Sequence, residues 1–214
     1  MIKKNLPKNI AVLPLTNAVF FPKTVLPLNI FEDRYVQLIN DTMKENRMFG
    51  MIQPKSKKSV KPDVYEVGCL GKITSFNEIS DNRFIITLTG IIRFRIKKEN
   101  ELERKKLYRQ FEVDYSDFLD DLSEKKDEIS INDKNSFIEK IKFFFEKINY
   151  PIRDNELRKL GMDQLISTVC MISPFSSEEK QKLIETINIE NKLKILDEII
   201  NFNIFEVEEN KTVQ

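Results

Sequence analysis

The sequence of 214 residues contains no histidine and no tryptophan, and it has only two cysteines, Cys69 and Cys170. Without histidine there is neither an imidazole general base nor a histidine ligand for a metal ion. The two cysteines are far apart and form no CxxC pair, so the ligand spacing of a structural zinc site is missing as well. We expect free, buried thiols in a reducing compartment, no metal and no cofactor.

Glycine is also scarce, with five residues in the whole chain. Gly71-Lys72 looks like the end of a P-loop, but Glu66 stands where that loop requires glycine, and no GxGxxG is present. Composition leaves a serine–lysine dyad open, yet no serine lies in a glycine-rich turn that would expose it as a nucleophile. We therefore predict that the protein is not an enzyme and has no catalytic residue.

Long hydrophobic runs are absent. The longest, such as residues 10–15, have about six residues, whereas a helix that crosses a bilayer needs about twenty. The start Met1-Ile2-Lys3-Lys4 is basic, but Pro7 interrupts the next stretch and no small-residue cleavage site appears after it. These features favour a cytoplasmic protein without a membrane partner.

The charge is divided unevenly along the chain. Residues 1–110 carry 21 basic and 11 acidic side chains, a net charge of +10, while residues 111–214 carry 14 basic and 23 acidic ones, a net charge of −9. Hydrophobic residues make up 41% of the chain, which excludes a wholly disordered protein. The asymmetry indicates two parts with different surfaces.

The first part has the pattern of a β-sheet. Several apolar runs stop at a proline, which suits strand ends and edges because proline cannot donate to a sheet ladder. Residues 80–82, Ser-Asp-Asn, form a good turn between two long β-rich segments. We predict strands over residues 10–13, 19–21, 25–26, 65–79, 83–98 and 108–118. Phe111, Val113 and Tyr115 lie on one side of the last of these strands.

One helix interrupts the predicted sheet, between Glu32 and Asn46. Its apolar face is marked by helical spacing of Phe31, Tyr35, Leu38, Ile39 and Met43.

The second part has the pattern of helices. Asp133 and Asp163 are predicted N-caps, Gly161 is a predicted C-cap, and Ser176 with Glu179 fits a capping box. The apolar positions at helical spacing are Phe137, Ile141, Phe144, Phe145 and Ile148, then Leu165, Ile166, Val169 and Cys170, then Leu183, Ile184 and Ile187, and finally Leu193, Leu196, Ile199 and Ile200. The polar tail from Glu206 is expected to fray.

Two segments are candidate binding surfaces. Phe20, Phe21 and Pro22 lie in a proline-punctuated stretch, and exposed aromatic side chains on a rigid sheet would suit apolar peptide segments. The same residues also fit a buried core, and both interpretations stay open at this point.

A basic row alternates with apolar residues in the strand over residues 83–98. There Ile92, Phe94 and Ile96 face one side, and the basic residues face the other. This outer face is the candidate for contact with the phosphates of a nucleic acid, although an ordinary solvated face is the simpler explanation. Its residues are Arg93, Arg95, Lys97 and Lys98.

Several segments in order resemble the N-terminal domain of Lon proteases. Leu13-Pro14-Leu15, Val19-Phe20-Phe21-Pro22 and Leu26-Pro27-Leu28 are similar to its opening. Residues 65–73, YEVGCLGKI, match its EVGT strand with Cys69 where threonine is common, and residues 89–96, TGIIRFRI, match its L-G-RRF-I strand. Residues 29–35, 49–52 and 171–182 extend the resemblance over about residues 10–203.

The resemblance implies an α+β fold: a PUA-like β-barrel over residues 1–118 with one inserted helix, a helical bundle over residues 119–205, and a polar tail over residues 206–214. In that family the region recognises substrates and helps to assemble the ring, while the ATPase and the peptidase are separate domains. The resemblance therefore implies structural roles for the matched prolines and glycines, which shape turns, and for Phe31 and Phe94, which pack.

Our main hypothesis is a non-catalytic, ATP-independent module that binds a polypeptide substrate or a partner protein in protein quality control. One alternative is an RNA-binding or other nucleic-acid-binding module that uses the basic first half. Another is an adaptor or subunit of a protease complex, with Lon protease itself as a partner. The oligomeric state is not indicated by the sequence.

Overall fold

The computed structural model describes residues 6–16, 18–56, 61–79, 83–101, 105–123 and 131–212. The chain has a mixed α+β architecture and divides into two compact units, Met1–Ser123 and Glu124–Gln214. We call them unit 1 and unit 2. Strands occur in unit 1 and most of the helices in unit 2, as the sequence predicts.

Unit 1 contains a sheet, one α-helix and a terminal 3-10 helix. The elements are β1 Asn9–Pro14, β2 Val25–Ile30, α1 Asp33–Lys44, β3 Met48–Ile52, β4 Val67–Ile79, β5 Arg83–Glu99, β6 Arg109–Asp114 and the 3-10 helix Ser116–Leu122.

The six strands form one sheet in the order β2-β5-β4-β3-β1-β6. β1 and β3 run parallel, and the other strand pairs are antiparallel. β6 pairs with β1 and also with the carboxyl-terminal end of β5. The pairing of Ile79 with Arg83 confirms the predicted antiparallel arrangement of the two long strands, and the predicted turn over residues 80–82 lies outside the described residues.

β2 continues through Pro27, so the prediction that the strand stops there is wrong. The N–H of Gly90 donates to the oxygen of Thr24 at 2.9 Å, and Val25 pairs with Thr89. Because hydrogen-bonded pairs alternate along an antiparallel ladder, Pro27 is at a position whose main-chain groups point to the open edge of the sheet. A proline at this position removes no hydrogen bond between β2 and β5. It leaves the open edge with one N–H donor fewer, which disfavours pairing with a further strand.

The predicted strand over residues 108–118 is shorter than expected. β6 ends at Asp114, and the chain turns into the 3-10 helix. Phe111, Val113 and Tyr115 are buried together, which confirms that they share one side.

The predicted helix between Glu32 and Asn46 is α1. Tyr35, Leu38 and Ile39 are buried on its inner face, as predicted. Phe31, in contrast, is 63% exposed. The helix begins at Asp33, so Phe31 lies before it, and the prediction that Phe31 packs is wrong.

Unit 2 consists of five helices in its described residues: α2 Ile131–Lys147, α3 Asp154–Leu157, α4 Met162–Ile172, α5 Ser177–Glu185 and α6 Ile189–Thr212. Leu165, Ile166, Val169 and Cys170 are buried on α4, as predicted. The capping box of Ser176 with Glu179 is also confirmed.

Three predicted helix boundaries in unit 2 are wrong. α2 begins at Ile131, so Asp133 lies in its first turn and not at its N-cap. Gly161 has φ −64°, so it lacks the left-handed conformation that is typical of a C-cap glycine. It is instead the N-cap of α4, the position that was predicted for Asp163. α6 continues to Thr212, so the predicted tail from Glu206 is helical as far as that residue.

Both cysteines are free and buried, which confirms the prediction for Cys69 and Cys170. Burial raises the pKa of the Cys170 thiol to about 12 and raises that of Cys69 well above its ordinary value. Within the described ranges, none of the helices combines the length and hydropathy that a membrane span requires. Among the same residues, no three histidine, cysteine or acidic side chains come together as metal ligands.

Candidate functional site

Phe20, Phe21 and Pro22 do not form an exposed recognition surface. Phe20 is 2% exposed, Phe21 is fully buried and Pro22 is buried. They belong to a loop, not to the predicted strand, and this loop crosses β5 at Gly90, whose oxygen accepts from the N–H of Lys23 at 2.9 Å. The alternative interpretation of these side chains as core is confirmed, and the interpretation as a free apolar surface is wrong.

Arg93 does not lie on an exposed basic face either. Its guanidinium donates to both carboxylate oxygens of Asp121, at 2.9 and 2.8 Å, and its backbone N–H donates to the same carboxylate at 2.9 Å. The ring of Phe118 lies 4.6 Å from the guanidinium carbon. The 3-10 helix thus covers β5 at this point and leaves only 5% of the Arg93 side chain exposed.

The other three basic residues of the predicted row are more accessible. Arg95 forms an ion pair with Asp117 at 3.1 Å, and Lys97 forms one with Asp114 at 3.1 Å. The backbone N–H of Ser116, together with Lys97, lowers the pKa of the Asp114 carboxyl to about 2. Lys98 is exposed. Carboxylates from the end of β6 and from the 3-10 helix therefore balance most of the basic row within unit 1.

A different concave surface is found in unit 1, which we call the unit 1 cleft. It has a volume of about 250 Å³. Four stretches of chain meet there: the end of β1, the first turn of α1, the segment after β3, and the segment leading into β6. Its lining residues are Val12, Pro14, Leu15, Thr16, Glu32, Arg34, Tyr35, Pro54, Ser56, Lys61, Pro62, Leu107, Tyr108 and Arg109.

The apolar part of the cleft comes from prolines and aliphatic side chains. Pro14 ends β1 opposite Ile52, the last residue of the parallel strand β3, and Pro54 follows two residues later, so both prolines lie at the same end of the sheet. Leu107 is 60% exposed and offers an aliphatic side chain at the cleft. The cleft thus combines apolar side chains with about as much polar surface, and concave sites with placed polar groups are the usual form of a binding site.

The first turn of α1 brings an ion pair to the cleft. Arg34 donates from Nε and Nη2 to one carboxylate oxygen of Glu32, at 3.0 and 2.7 Å. The guanidinium of Arg34 also lies 4.5 Å from the centre of the Tyr35 ring. Desolvation by burial raises the pKa of the Tyr35 phenol, whose hydroxyl donates to the backbone oxygen of Pro14 at 3.4 Å.

A second cationic group lies where β5, β6 and the segment after β3 meet. Arg109 donates to both oxygens of Glu99, at 3.0 and 2.8 Å, and to the backbone oxygen of Pro62 at 2.7 Å. Lys61 adds an ion pair with Glu99 at 2.9 Å. The hydrogen bond from Arg109 is the main cause that lowers the pKa of Glu99 below its ordinary value of 4.5.

This network predicts a specific acid dependence of stability. Because the pKa of Glu99 is lower in the folded state, its ionised form stabilises the fold above pH 4.5, and this contribution is lost as the pH falls through the lower folded value. We expect Glu99→Gln to reduce the free energy of unfolding at pH 7 by about 1 kcal/mol and to flatten its decline between pH 5 and the acid limit. Urea unfolding followed at several pH values measures both effects.

Glu66→Gln is the matched control for Glu99→Gln, because the Glu66 side chain is 71% exposed and its ion pair with Arg95 is 3.7 Å long. Glu66→Gln should change neither the stability at pH 7 nor the acid dependence measurably. An identical acid profile in wild type and Glu99→Gln would show that the network does not stabilise the fold.

Unit 2 also has a concave surface, a groove between α2, α4 and α6. Phe137, Met162 and Leu193 form its apolar lining, and Lys140 pairs with Asp197 across it. It is wider than the unit 1 cleft and combines fewer kinds of polar group.

Comparison with known proteins identifies the family. A family model described as the ATP-dependent protease La (LON) substrate-binding domain matches residues 9–201. The chain belongs to this family. The match spans both units and confirms the resemblance to the Lon N-terminal domain that the sequence motifs indicate.

The chain is similar to full-length Lon proteases over part of their length. It is 25% identical to Lon protease 2 of Myxococcus xanthus and 27% identical to the Lon protease of Desulfosudis oleivorans. Each alignment covers 93% of this chain but 24% of the relative. The chain thus spans about a quarter of the length of these Lon proteases, and only their non-catalytic, substrate-binding part is matched.

Two solved structures have a similar fold. A Lon N-terminal domain protein from Xanthomonas campestris superposes with a TM-score of 0.62 at 18% identity, covering 88% of this chain and 96% of that one. The N-terminal domain of the Mycobacterium avium complex Lon protease gives a TM-score of 0.61 at 15% identity, covering 91% and 98%. At these identities the comparison shows the Lon N-terminal fold.

Most of the unit 1 cleft was not predicted from the sequence. Tyr35 was predicted as part of the helix core, and Arg34, Leu107 and Arg109 were not predicted as site residues. The resemblance to Lon does include Leu13-Pro14-Leu15 and residues 29–35, and these were the available signals. No local pattern marks the other residues, because the cleft is assembled from segments that are distant in the sequence.

Proposed function

We propose that this chain is a non-catalytic module that binds polypeptide segments, and that the unit 1 cleft is where they bind. The observation that carries the proposal is the match of residues 9–201 to a substrate-binding domain, together with a cleft in unit 1 that combines apolar walls with hydrogen-bonding groups.

The lining of the cleft suits an extended apolar segment. Leu15, Leu107 and the prolines offer aliphatic contact area, and the largely buried rings of Tyr35 and Tyr108 form part of the lining. The hydroxyl of Tyr108 already donates to Asp41 at 3.0 Å, which fixes its ring. A preorganised surface of this kind loses little entropy when a segment binds.

Further parts of the proposal concern the fold and the setting. We propose that the sheet closes as a PUA-like barrel, which the pairing of β6 with both β1 and β5 supports. We also propose that the two units act as separate domains in the cytoplasm and that binding requires no ATP. An adaptor role beside a Lon protease is compatible with this activity. It would be revealed if adding this protein changed the rate at which a Lon protease degrades its substrate.

Leu107→Ser tests the location of binding. The side chain is exposed, so its truncation should leave the free energy of unfolding within about 0.5 kcal/mol of wild type. Because it offers apolar contact area at the cleft, we expect the Kd for a fluorescent, alkylated protein that stays unfolded in native buffer to rise about tenfold. Fluorescence anisotropy titration measures this change.

Leu119→Ser is the matched control, since Leu119 is another exposed leucine of unit 1 that does not line the cleft. It should bind the unfolded protein as tightly as wild type. Equal weakening by both substitutions, or by neither, would contradict the assignment of the cleft.

A further inference from the structure

We propose that Gln37 is a positioning residue for the unit 1 cleft, because it holds the backbone that places the side chain of Leu107 at the cleft. The inference rests on the proposed function, since it explains how one wall of the same cleft is kept in position for a polypeptide. Gln37 is not among the described residues that line the cleft, so it acts through Leu107 and not by touching the ligand.

Leu107 belongs to a short segment, residues 105–108, that leads into β6 and lies outside the described helices and strands. Its side chain is 60% exposed, whereas the aliphatic lining residues Val12 and Leu15 are buried and half-buried. Ordering such a segment only when a ligand binds would cost free energy and weaken binding. The contribution of Leu107 to binding therefore depends on what fixes this segment beforehand.

Both ends of the Gln37 side-chain amide are bonded to this segment. Nε2 donates to the backbone oxygen of Lys105, and Oε1 accepts from the backbone N–H of Leu107, each at 2.7 Å. A glutamine amide offers a donor and an acceptor together, and both are used here. One side chain of α1 thus fixes two peptide groups that come 68 and 70 residues later in the chain.

The same helix holds the next residue of the segment and also contributes to the cleft directly. The Tyr108 hydroxyl donates to Asp41 at 3.0 Å, and Asp41 lies one turn after Gln37 on the same face of α1. The first turn of α1 brings Arg34 to the cleft. Gln37 therefore fixes Leu107 relative to another part of the same site, and the cleft is preorganised in unit 1 before a polypeptide binds.

Gln37→Met tests this role, because methionine is similar in length, favours a helix as glutamine does and lacks the amide. Gln37 is half-buried, so the variant should fold. We expect the Kd for the fluorescent, alkylated unfolded protein to rise about fivefold, since binding must then order the segment. The Leu107 N–H of the free protein should exchange with deuterium at least about fivefold faster, which NMR measures.

A double variant separates positioning from a general structural effect. If Gln37 acts through Leu107, adding Gln37→Met to Leu107→Ser should leave the Kd at the value of Leu107→Ser alone. Two independent effects would instead multiply to about fiftyfold. Asn40→Met is the control variant, because Asn40 carries an exposed amide on the same helix. It should change neither the Kd nor the exchange of the Leu107 N–H.

The outcomes separate this inference from the proposed function. A wild-type Kd in Gln37→Met, or a fiftyfold rise in the double variant, would overturn the positioning role while leaving polypeptide binding intact. Unchanged exchange of the Leu107 N–H in Gln37→Met would overturn it as well. Failure of wild-type protein to bind the unfolded protein would overturn the proposed function itself.

Discussion

Gly90→Ala should destabilise unit 1 by about 3 kcal/mol or more. A Cβ atom at this position would lie 2.2 Å from the backbone oxygen of Phe21 and 3.1 Å from the Cα atom of Pro22. Both neighbours are backbone, so no side chain can rotate away and the loop itself must move. That movement would break the hydrogen bonds by which Gly90 holds Lys23 and Thr24, each 2.9 Å long, and would withdraw Phe21 from the core.

Urea unfolding followed by tyrosine fluorescence measures this loss, since four of the five tyrosines lie in unit 1. Thr89→Ala, at the adjacent and partly exposed position of β5, is the control and should cost less than about 1 kcal/mol. If Gly90→Ala is as stable as wild type, the loop that contains Phe21 does not cross β5 as closely as the structure places it.

Asp121→Ala should also cause a large loss, about 3–5 kcal/mol. It would leave the guanidinium of Arg93 without its carboxylate at a position where 5% of the side chain is exposed, and it would remove the acceptor of the Arg93 backbone N–H. Breaking one half of a buried ion pair costs more than the pair contributes, because the remaining charge stays desolvated. The same urea titration measures the effect.

Asp117→Ala is a matched control for Asp121→Ala, because it removes the same group from the same 3-10 helix. Asp117 is 42% exposed and pairs with Arg95, which is itself 34% exposed, so we expect a loss below about 1 kcal/mol. Similar losses of unfolding free energy in the two variants would contradict the conclusion that Asp121 forms a buried ion pair with Arg93 beneath the 3-10 helix.

Local patterns predicted the parts of the fold that depend on local interactions. The β4–β5 hairpin is indicated by two β-rich segments around a turn, and α1 is indicated by the helical spacing of Tyr35, Leu38 and Ile39. The capping box of Ser176 and Glu179 is likewise complete within four residues. Such features are determined by neighbours in the sequence and can be predicted without the tertiary structure.

Features that depend on distant residues were predicted wrongly or left open. Arg93 alternates with apolar residues and so resembles a surface residue, but its partner Asp121 comes 28 residues later. Phe21 is buried because its loop crosses Gly90, and Pro27 fits inside a strand because β2 is at the end of the sheet. In each case the deciding contact lies outside the local segment.

The glycines illustrate the same limit. The family resemblance implies that the matched glycines shape turns, yet Gly50, Gly68, Gly71 and Gly90 all lie within strands, and none has a positive φ. A Cβ atom on any of them would come within 3.0 Å of a neighbouring atom. They permit close packing between strand and core, a role that becomes visible only in three dimensions.

The central claim is that the chain binds polypeptides, and a direct titration of wild-type protein tests it. A labelled, permanently unfolded protein is titrated at low and at high salt, alone and with single-stranded RNA as competitor. We expect the unfolded protein to bind saturably, to stay bound at high salt and not to be displaced by RNA. Absence of polypeptide binding would contradict this claim. RNA that displaces the polypeptide, and whose own binding weakens steeply with salt, would contradict it too and would identify the basic residues of unit 1 as the binding surface.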